Sequence, residues 1–336
     1  MKKLIIYDGQ WAAYAGCFRE HLGASWSVRT ADHLSALMAE LPGADALLAL
    51  QPPEEALAAA QGLKLFLFPG AGVLQPEARA YPAGCQVVNV YAHGIAVAEY
   101  VLAAILMQVT GIAACSETFR RGSWAGSGRM GGVPHEEACG KTLGLVGFGT
   151  IGQAVAQRAL AFGMRVLAVC EGVPSAAPRV DFLGQPDDLP LLLRDSDFLV
   201  IACPLTERTR DMIGVLQLSM MKPSSFLINV SRAEIIEERA LYEALRGRRI
   251  AGAALDVWYR YPENARQISH GSAFPFHELP NVIMTPHMAG WTAAMVQRRI
   301  AGMCDSLKQY ERGEPLAQVV LVGAWVPEQR SPGVAL

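Results

Sequence analysis

The chain has 336 residues, of which 51% are hydrophobic, so it is long enough for two domains with separate cores. Its 29 lysine and arginine residues nearly balance its 31 aspartate and glutamate residues, which excludes the large basic surface needed to bind a nucleic acid or an anionic membrane. A small molecule is therefore the expected binding partner.

Cysteine usage and the N-terminal sequence bear on localisation. Seven cysteines are scattered without a CxxC pair, which predicts neither a disulfide framework nor a zinc cage and favours the reducing cytoplasm. The opening stretch MKKLIIYDGQ is too short in apolar residues for a signal peptide and predicts a first strand. The longest apolar stretch, 96–115, contains Glu99 and Gln108 and predicts a buried helix instead of a membrane span.

The first hundred residues alternate short aliphatic runs with alanine-rich helical segments. The runs are apolar throughout, as expected for parallel strands that are covered on both faces. They predict strands at 3–7, 44–50, 63–68 and 86–90. We expect this part of the chain to form one α/β unit.

A second series of strands is predicted after a glycine-rich segment, 120–140, which has no periodicity and predicts an extended loop. The predicted strands are 141–148, 165–170, 198–203, 225–230, 250–257 and 281–287. Helical stretches separate them, an alternation typical of a doubly wound parallel sheet of the Rossmann type. A final helix is predicted over 292–313 and is expected to return to the first domain.

The segment LGLVGFGTIGQAVAQRALAFG places Gly147, Gly149 and Gly152 after a predicted strand and at the opening of a predicted helix. In this GxGxxG spacing the first glycine permits a tight turn, the second lets backbone approach a pyrophosphate, and the third lets the helix pack on the sheet. The helix start, at Thr150 and Ile151, would face the phosphate charge. Without the strand and helix, the spacing would indicate only an ordinary glycine-rich turn.

An acid about twenty residues further on normally binds the ribose hydroxyls of such a cofactor. That position falls at Cys170, with Glu171 next to it. Glu171 would favour NAD by repelling a 2′-phosphate. Alternatively, Glu171 is a solvated turn residue, and the neutral Cys170 with Arg179 would admit NADP. We expect NAD, with NADP as the alternative.

Four segments follow in a recognisable order: CPLTERTRDMIG, MMKPSSFLINVSRAEIIEERALYEAL, IAGAALDVW and LPNVIMTPHMAGWT. In these the chain resembles the D-isomer-specific 2-hydroxyacid dehydrogenases, which include D-lactate, glyoxylate/hydroxypyruvate, phosphoglycerate, formate and phosphite dehydrogenases. The resemblance covers nearly the whole chain and is most specific from Gly140 to Gly290. It implies an NAD(P)-binding Rossmann domain at 106–287 and a discontinuous, flavodoxin-like α/β substrate domain formed by 1–105 and 288–336.

The resemblance also implies two catalytic residues. Arg232 matches the arginine of a family motif N-x-x-R-G-x-x-V-D that begins here at Asn229, although Ala233 and Glu234 depart from it. Its guanidinium fork would bind the substrate carboxylate and polarise the carbonyl. His287 would protonate the carbonyl oxygen as hydride arrives and accept that proton in oxidation. Taken alone, the arginine would be an ordinary surface residue and the histidine a strand cap.

Other positions of the family match cofactor-binding residues. Asp256 matches the acid that holds the nicotinamide carboxamide. The remaining matches are Cys203, Pro204, Val230 and Gly290.

The substrate carboxylate would meet backbone N–H groups around Ala71 and Gly72, where small residues permit close approach. Tyr91, His93 and Trp291 are candidate pocket walls, although each could equally belong to the core. The histidines of the loop between 262 and 280 lack the spacing of metal ligands, so no metal site is expected.

One member of the family's catalytic group is missing. The family continues D-V-F-x-x-E-P, and its glutamate bonds to the catalytic histidine and raises the histidine pKa, whereas Tyr261 precedes Pro262 here. Glu263 or Glu278 could supply the charge, a polar non-acid could orient His287 as glutamine does in formate dehydrogenases, or the site could be impaired. We expect a working enzyme with a rearranged partner. If no carboxylate substitutes, His287 should have a lowered pKa, and reduction should fail at a lower pH.

Together these features predict a cytoplasmic, NAD(P)-dependent enzyme that interconverts a small 2-oxo acid and its D-2-hydroxy acid. The family usually dimerises through its Rossmann domains, and residues 120–140 would fit that interface. Two alternatives stay open: a dinucleotide-sensing binding protein that has lost turnover, and an enzyme that resembles formate dehydrogenases.

Overall fold

The computed structural model describes residues 1–70, 80–172, 178–264 and 266–324. The chain divides into two compact units. Unit 1 combines Met1–Ala92 with the segment from Ala293 onward, and unit 2 is His93–Thr292. The polypeptide therefore leaves unit 1 once, builds unit 2, and returns.

Unit 1 is a six-stranded sheet with helices. Its strands are β1 (Lys2–Ile6), β2 (Trp26–Thr30), β3 (Ala46–Leu48), β4 (Leu65–Phe68), β5 (Gln86–Asn89) and β13 (Val319–Val322). Its helices are α1 (Gly9–Ala12), α2 (Ala15–Leu22), α3 (Leu34–Glu40), α4 (Glu54–Ala59) and α11 (Ala293–Glu311). The order is β13-β5-β4-β3-β1-β2, parallel except for β13. Strands β1 to β5 thus have the flavodoxin order that was predicted.

The edge strands β2 and β13 were not predicted from the sequence. The central strands β3 and β4 are buried at every residue, so they are apolar throughout. In contrast, β2 is exposed at its last two residues and β13 is exposed at alternate residues. Helix α11 joins this part of unit 1, because Glu311 Oε2 accepts hydrogen bonds from Trp26 Nε1 at 3.1 Å and from Ser25 Oγ at 3.2 Å.

Unit 2 is a seven-stranded parallel sheet. Its strands are β6 (Thr142–Val146), β7 (Arg165–Val169), β8 (Phe182–Gly184), β9 (Phe198–Ile201), β10 (Phe226–Asn229), β11 (Gly252–Leu255) and β12 (Val282–Met284). Its helices are α5 (Gly94–Thr110), α6 (Ile112–Arg120), α7 (Thr150–Ala161), α8 (Leu189–Asp195), α9 (Val215–Met220) and α10 (Glu238–Arg246). The order is β12-β11-β10-β9-β6-β7-β8. From β6 the sheet is extended first on one side, by β7 and β8, and then on the other, by β9 to β12. The switch point is therefore between β6 and β9, which is where doubly wound sheets open a ligand crevice.

The predicted domain boundaries, 105/106 and 287/288, both lie inside unit 2. Helix α5 runs unbroken through residue 105, and its buried face, with Val101 and Ile105, packs with Val155 and Ala159 of α7 in one core. The helix therefore belongs wholly to unit 2. At the other end, the turn after β12 stays with the sheet, and unit 1 resumes only at α11.

Among the described residues, no single helix is long and apolar enough to cross a membrane. Helices α5 and α6 reach that length and composition only as a pair, which is bent by 59°. Eight residues of α5 are buried inside the protein, as predicted for this apolar stretch.

Candidate active site

The predicted site residues of unit 2 lie at the carboxyl edge of its sheet. All seven strands are parallel, so the residues that follow them meet at one edge. Gly147 follows β6, Cys170 follows β7, Cys203 and Pro204 follow β9, Val230 and Arg232 follow β10, Asp256 follows β11, and His287 follows β12. Segments more than a hundred residues apart in sequence thereby contribute to a single site.

The three glycines of the fingerprint are required for three different reasons. Gly147 has a φ of +102°, and a Cβ there would lie 2.5 Å from the backbone nitrogen of Cys203. A Cβ on Gly152 would collide with the carbonyl oxygen of Gly147. A Cβ on Gly149 would meet nothing within 4 Å, so open space lies in front of this residue and of the uncapped start of α7. Such a space, beside the amides of a helix N-terminus, fits a pyrophosphate.

A second polar group lies at the end of β7, where the ribose is expected. The Cys170 thiol donates to the carbonyl of Gly172 at 2.8 Å, and burial raises the pKa of this thiol. Glu171 is exposed and pairs with Arg208 at 3.4 Å. Arg208, which lies in the loop after β9, was not predicted, because nothing in the sequence indicates that this loop and the end of β7 approach each other.

Arg232 is held by a turn that Asn229 builds. The buried Asn229 accepts from the backbone N–H of Ser231 at 3.1 Å and donates to the carbonyl of Arg232 at 3.0 Å. The Ser231 hydroxyl donates to the carbonyl of Cys203, which ties this turn to the neighbouring strand end. Arg232 uses Nη1 to donate to the Ser231 carbonyl at 2.7 Å, and its fork has further N–H donors for a carboxylate.

His287 lies on a tight turn, with a φ of +56°, and Asp256 holds that turn. The Asp256 carboxylate is 2% exposed and accepts from Thr285 Oγ1 at 2.6 Å, from Met288 N at 2.8 Å and from Ala289 N at 2.9 Å. Three of its roughly four acceptor positions are thus used inside the protein. Within the described structure, Asp256 shapes the turn; its predicted bond to the nicotinamide would use the position that is left.

Thr285 is a second anchor of this turn, and it was not predicted from the sequence. Its hydroxyl must donate to Asp256, because a carboxylate only accepts, so the Tyr100 hydroxyl donates to Thr285 Oγ1 at 2.8 Å. Its carbonyl accepts from Trp258 Nε1 at 2.8 Å and from the His287 N–H at 3.1 Å. The sequence feature that could have indicated this role is the position of Thr285, two residues before the predicted histidine.

The aromatic residues that follow Asp256 connect the segment of Arg232 with the segment of His287. Trp258 is buried and bonds to Thr285, on the His287 side. Tyr259 donates to the carbonyl of Ile236 at 2.8 Å, on the Arg232 side, and burial raises its pKa. Tyr261 reaches the histidine itself, with its Oη 2.8 Å from Nδ1 of His287.

The structure favours a polar non-acid as the partner of His287 over either glutamate. The Glu263 backbone N–H bonds to Gln267 at 2.8 Å, and Glu278 lies 3.9 Å from His277. Among the described residues, neither carboxylate lies within ion-pairing distance of His287. Burial, with the Arg232 charge in support and Asp256 in opposition, lowers the pKa of His287. This is the direction expected when no carboxylate substitutes.

The predicted substrate-binding residues are less fully placed. Ala71 and Gly72 lie outside the described residues. Tyr91 is exposed in unit 1, whereas the buried His93 and the partly exposed Trp291 belong to unit 2. Gly290 lies against His93, since a Cβ on it would be 3.5 Å from the His93 Cβ.

The loop between β11 and β12 contains two histidines. His270 and His277 stack with ring centroids 3.8 Å apart. Over the described part of the chain, no group of three or more histidine, cysteine, aspartate or glutamate side chains could hold a metal ion.

Comparisons with known proteins identify the family of this site. The family model described as D-isomer specific 2-hydroxyacid dehydrogenase, NAD binding domain, matches residues 102–289. The hydroxypyruvate reductase of Thermotoga maritima is 34% identical over 281 residues, which cover 81% of this chain and 86% of that protein. The chain belongs to the D-isomer specific 2-hydroxyacid dehydrogenase family.

Other relatives agree with this family. The D-3-phosphoglycerate dehydrogenase of Methanocaldococcus jannaschii is 34% identical over 81% of this chain, and the chain spans about half (50%) of its length. A solved structure of a D-isomer specific 2-hydroxyacid dehydrogenase family protein from Aeromonas salmonicida has a TM-score of 0.80 at 25% identity and covers 95% of this chain and 98% of that one. The predicted family, α/β fold class and nicotinamide dinucleotide cofactor are confirmed.

The three glycines give a first prediction about this NAD-binding domain. Gly147→Ala and Gly152→Ala should lower the free energy of unfolding by at least about 1 kcal/mol, because the new methyl group meets backbone. Gly149→Ala should cost less stability but weaken NADH binding, because its methyl group points into the space that fits the pyrophosphate. Urea unfolding and fluorescence titration with NADH measure the two effects. Unchanged NADH affinity in Gly149→Ala would contradict this placement.

The lowered pKa of His287 gives a prediction on pH dependence. Reduction needs the imidazolium form, so kcat/KM for reduction should fall as pH rises through the His287 pKa, which lies below the ordinary histidine value. Tyr261→Glu places an acceptor charge beside Nδ1, which should raise the pKa and move this fall to higher pH. Rate profiles against pH for both proteins test the shift. A wild-type profile that falls at the same pH as Tyr261→Glu, or at a higher one, would refute it.

Proposed function

We propose that the protein reduces a small 2-oxo acid to its D-2-hydroxy acid, with a nicotinamide dinucleotide as hydride donor, and catalyses the reverse oxidation. The supporting observation is that both catalytic side chains are held by dedicated buried polar groups, Asn229 for Arg232 and Asp256 for His287. Residues with strained backbone, such as His287, persist where the surroundings over-determine them, and such residues cluster at active sites. A site that had lost its function would not need to maintain a strained backbone at His287. This argues against the alternative of a binding protein without turnover.

Each group has one task in the proposed reaction. Bound nicotinamide supplies the hydride. The Arg232 guanidinium binds the substrate carboxylate and polarises the carbonyl group. Because Tyr261 occupies Nδ1 of His287, Nε2 is the nitrogen left to face the substrate, and it delivers the proton to the carbonyl oxygen. The turn at Gly147 and the start of α7 would hold the pyrophosphate.

We propose NAD as the preferred cofactor, with Glu171 as the acceptor for the ribose hydroxyls. Arg208 weakens this preference, because its guanidinium lies beside Glu171 and offers a positive charge to a 2′-phosphate. Measurement of activity with NADH and NADPH in parallel, for the wild type and Arg208→Ala, distinguishes the two contributions. Loss of NADPH activity alone in Arg208→Ala would assign the phosphate-binding role to this arginine.

We propose glyoxylate and hydroxypyruvate as the first substrates to test, because the relatives that match this chain include a hydroxypyruvate reductase and a glyoxylate reductase. We also propose a cytoplasmic location. All seven cysteines are free thiols, as expected in a reducing compartment.

We propose that two copies associate through the surface formed by α6 and the loop that follows it. Helix α6 has no buried residue in the single chain. Its exposed apolar side chains include Ile112 and Phe119, and the loop adds Trp124, Met130 and Val133, which are 58–89% exposed. Exposed apolar side chains in this number are typical of a protein interface. The self-complementary contact of a twofold dimer would cover it.

The catalytic assignment predicts the effect of two substitutions. His287→Ala should lower kcat for 2-oxo acid reduction by about 10²–10⁴, because the proton donor is lost. Arg232→Lys should chiefly raise KM, because an ammonium group cannot pair with the carboxylate in the bidentate way. The activity of both variants is measured as the loss of NADH absorbance during 2-oxo acid reduction. Tight NADH binding without turnover on any 2-oxo acid would overturn the proposal in favour of a binding protein.

The proposed interface predicts the oligomeric state. Wild-type protein should sediment as a dimer, and Trp124→Glu should sediment as a monomer, because a charge would be buried at the contact. Leu216→Glu is the matched control, since Leu216 is 62% exposed on α9, which packs in the other hydrophobic core of unit 2 through Leu218. Analytical ultracentrifugation distinguishes the three proteins. A monomeric wild type, or dissociation of the control alone, would refute this interface.

A further inference from the structure

We propose that Tyr261 is the positioning residue of His287: its hydroxyl group donates to Nδ1 and so holds the neutral imidazole as the tautomer that carries its hydrogen on Nε2. This inference deepens the proposed function and rests on it for its catalytic consequence. It concerns the one position at which this chain departs from its family's catalytic group.

The contacts of the Tyr261 hydroxyl favour the donor role. A phenol has one hydrogen to donate and two lone pairs to accept. The backbone N–H of Trp258 points at Tyr261 Oη at 3.3 Å and can only donate, so it uses a lone pair. The hydroxyl hydrogen then has Nδ1 of His287 as its acceptor, at 2.8 Å. The three groups form a chain in which each hydrogen bond polarises the next.

The opposite direction is less favourable. If Nδ1–H donated to Tyr261 Oη, that oxygen would accept two N–H groups, and its own hydrogen would turn to solvent. A glutamate differs here, because an ionised carboxylate only accepts and therefore requires a hydrogen on Nδ1. Replacing this acceptor by a phenol reverses the tautomer of the neutral histidine.

Tyr261 is itself held in place by its neighbours in the chain. Trp258 is anchored through Nε1 to the carbonyl of Thr285, and Tyr259 through its hydroxyl to the carbonyl of Ile236, both at 2.8 Å. Between them and Tyr261, the Arg260 N–H donates to the carbonyl of Gly271 at 2.9 Å. The segment is thus fixed on the Arg232 side and on the His287 side, with Tyr261 directed at Nδ1.

The charges around the pair agree with a neutral imidazole and a neutral phenol. Asp256 at the end of β11 and Arg232 after β10 face His287, and Glu234 adds a third charge near Tyr261. Burial and the Arg232 cation lower the pKa of His287, against the effect of Asp256. Burial raises the pKa of Tyr261 from its ordinary value, so the phenol keeps its hydrogen at neutral pH.

This arrangement treats the two reaction directions unequally. In reduction, Nε2 of the imidazolium gives its proton to the carbonyl oxygen, and the ring keeps its other hydrogen on Nδ1. In oxidation, Nε2 must instead accept the proton of the alcohol, which requires Nδ1 to hold the hydrogen beforehand. In the neutral enzyme, however, the imidazole hydrogen is on Nε2, so this nitrogen cannot accept a proton. The hydrogen must first move to Nδ1, and the Tyr261 hydroxyl must rotate from donor to acceptor. A carboxylate at this position would need no such change.

The tautomer can be measured without turnover. Protein with ¹⁵N-labelled histidine should show, at about pH 8, an Nδ1 resonance of His287 typical of a nitrogen without hydrogen and an Nε2 resonance typical of N–H. Solid-state spectra suit the size of the protein, and a difference spectrum against His287→Gln picks this residue from the seven histidines. Tyr261→Phe should lose the preference and Tyr261→Glu should reverse it. Tyr310→Phe, which removes a phenol hydroxyl from α11, outside this segment, should leave it unchanged.

Kinetics supply the second readout. Tyr261→Glu should raise the ratio of kcat for oxidation to kcat for reduction by about tenfold or more, because a wrong tautomer is costly to a general base. A hydrogen on Nδ1 in the wild type would overturn the inference, and so would an Nε2–H tautomer that persists in Tyr261→Phe. If the wild type turned over no 2-oxo acid, the proposed function would fail while the spectra still decided the role of Tyr261. Normal turnover of 2-oxo acids together with an unaltered tautomer in Tyr261→Phe would refute the role of Tyr261 and leave the proposed function intact.

Discussion

The site depends on the buried carboxylate of Asp256. Its bonds to Thr285, Met288 and Ala289 hold the turn that carries His287 at a φ of +56°. A backbone of this kind costs about 1–3 kcal/mol in a residue other than glycine. Each hydrogen bond to a charged group contributes about 1.5–3 kcal/mol, so three of them outweigh that cost. The carboxylate in turn tolerates burial only because these donors replace its water. The turn and the acid therefore require each other.

The parallel sheet of unit 2 brings this turn to its partners. Strands β10, β11 and β12 are neighbours, so Arg232, Asp256 and His287 emerge side by side although 55 residues separate the first from the last. The segment of Trp258, Tyr259 and Tyr261 then crosses the ends of these strands. Its three polar tips, one indole and two phenols, bond to backbone or imidazole on both sides. Aromatic residues suit this work because each combines a large apolar body, which fills the core, with one directional donor.

Much of the molecule could be predicted from sequence because the responsible patterns are local. Apolar runs predicted the central strands, and the glycine spacing predicted the turn before α7. The failures have local causes too. Strands β2 and β13 lie at sheet edges, where exposure breaks the apolar run. The predicted boundary at residue 105 failed because α5 is apolar on most sides, and its sequence does not show that its partner is α7.

The sequence by itself determined the fold class and the family, and it predicted Arg232 and His287 as the catalytic side chains, because these inferences follow from short motifs whose chemistry is carried by adjacent residues. It also showed that Tyr261 stands where the family has glutamate. Only the tertiary structure decided what takes the glutamate's place, since Tyr261 and His287 are 26 positions apart and their 2.8 Å contact arises from the pairing of β11 with β12. The same holds for Thr285, Tyr100 and Arg208, whose roles depend on distances that no stretch of sequence contains.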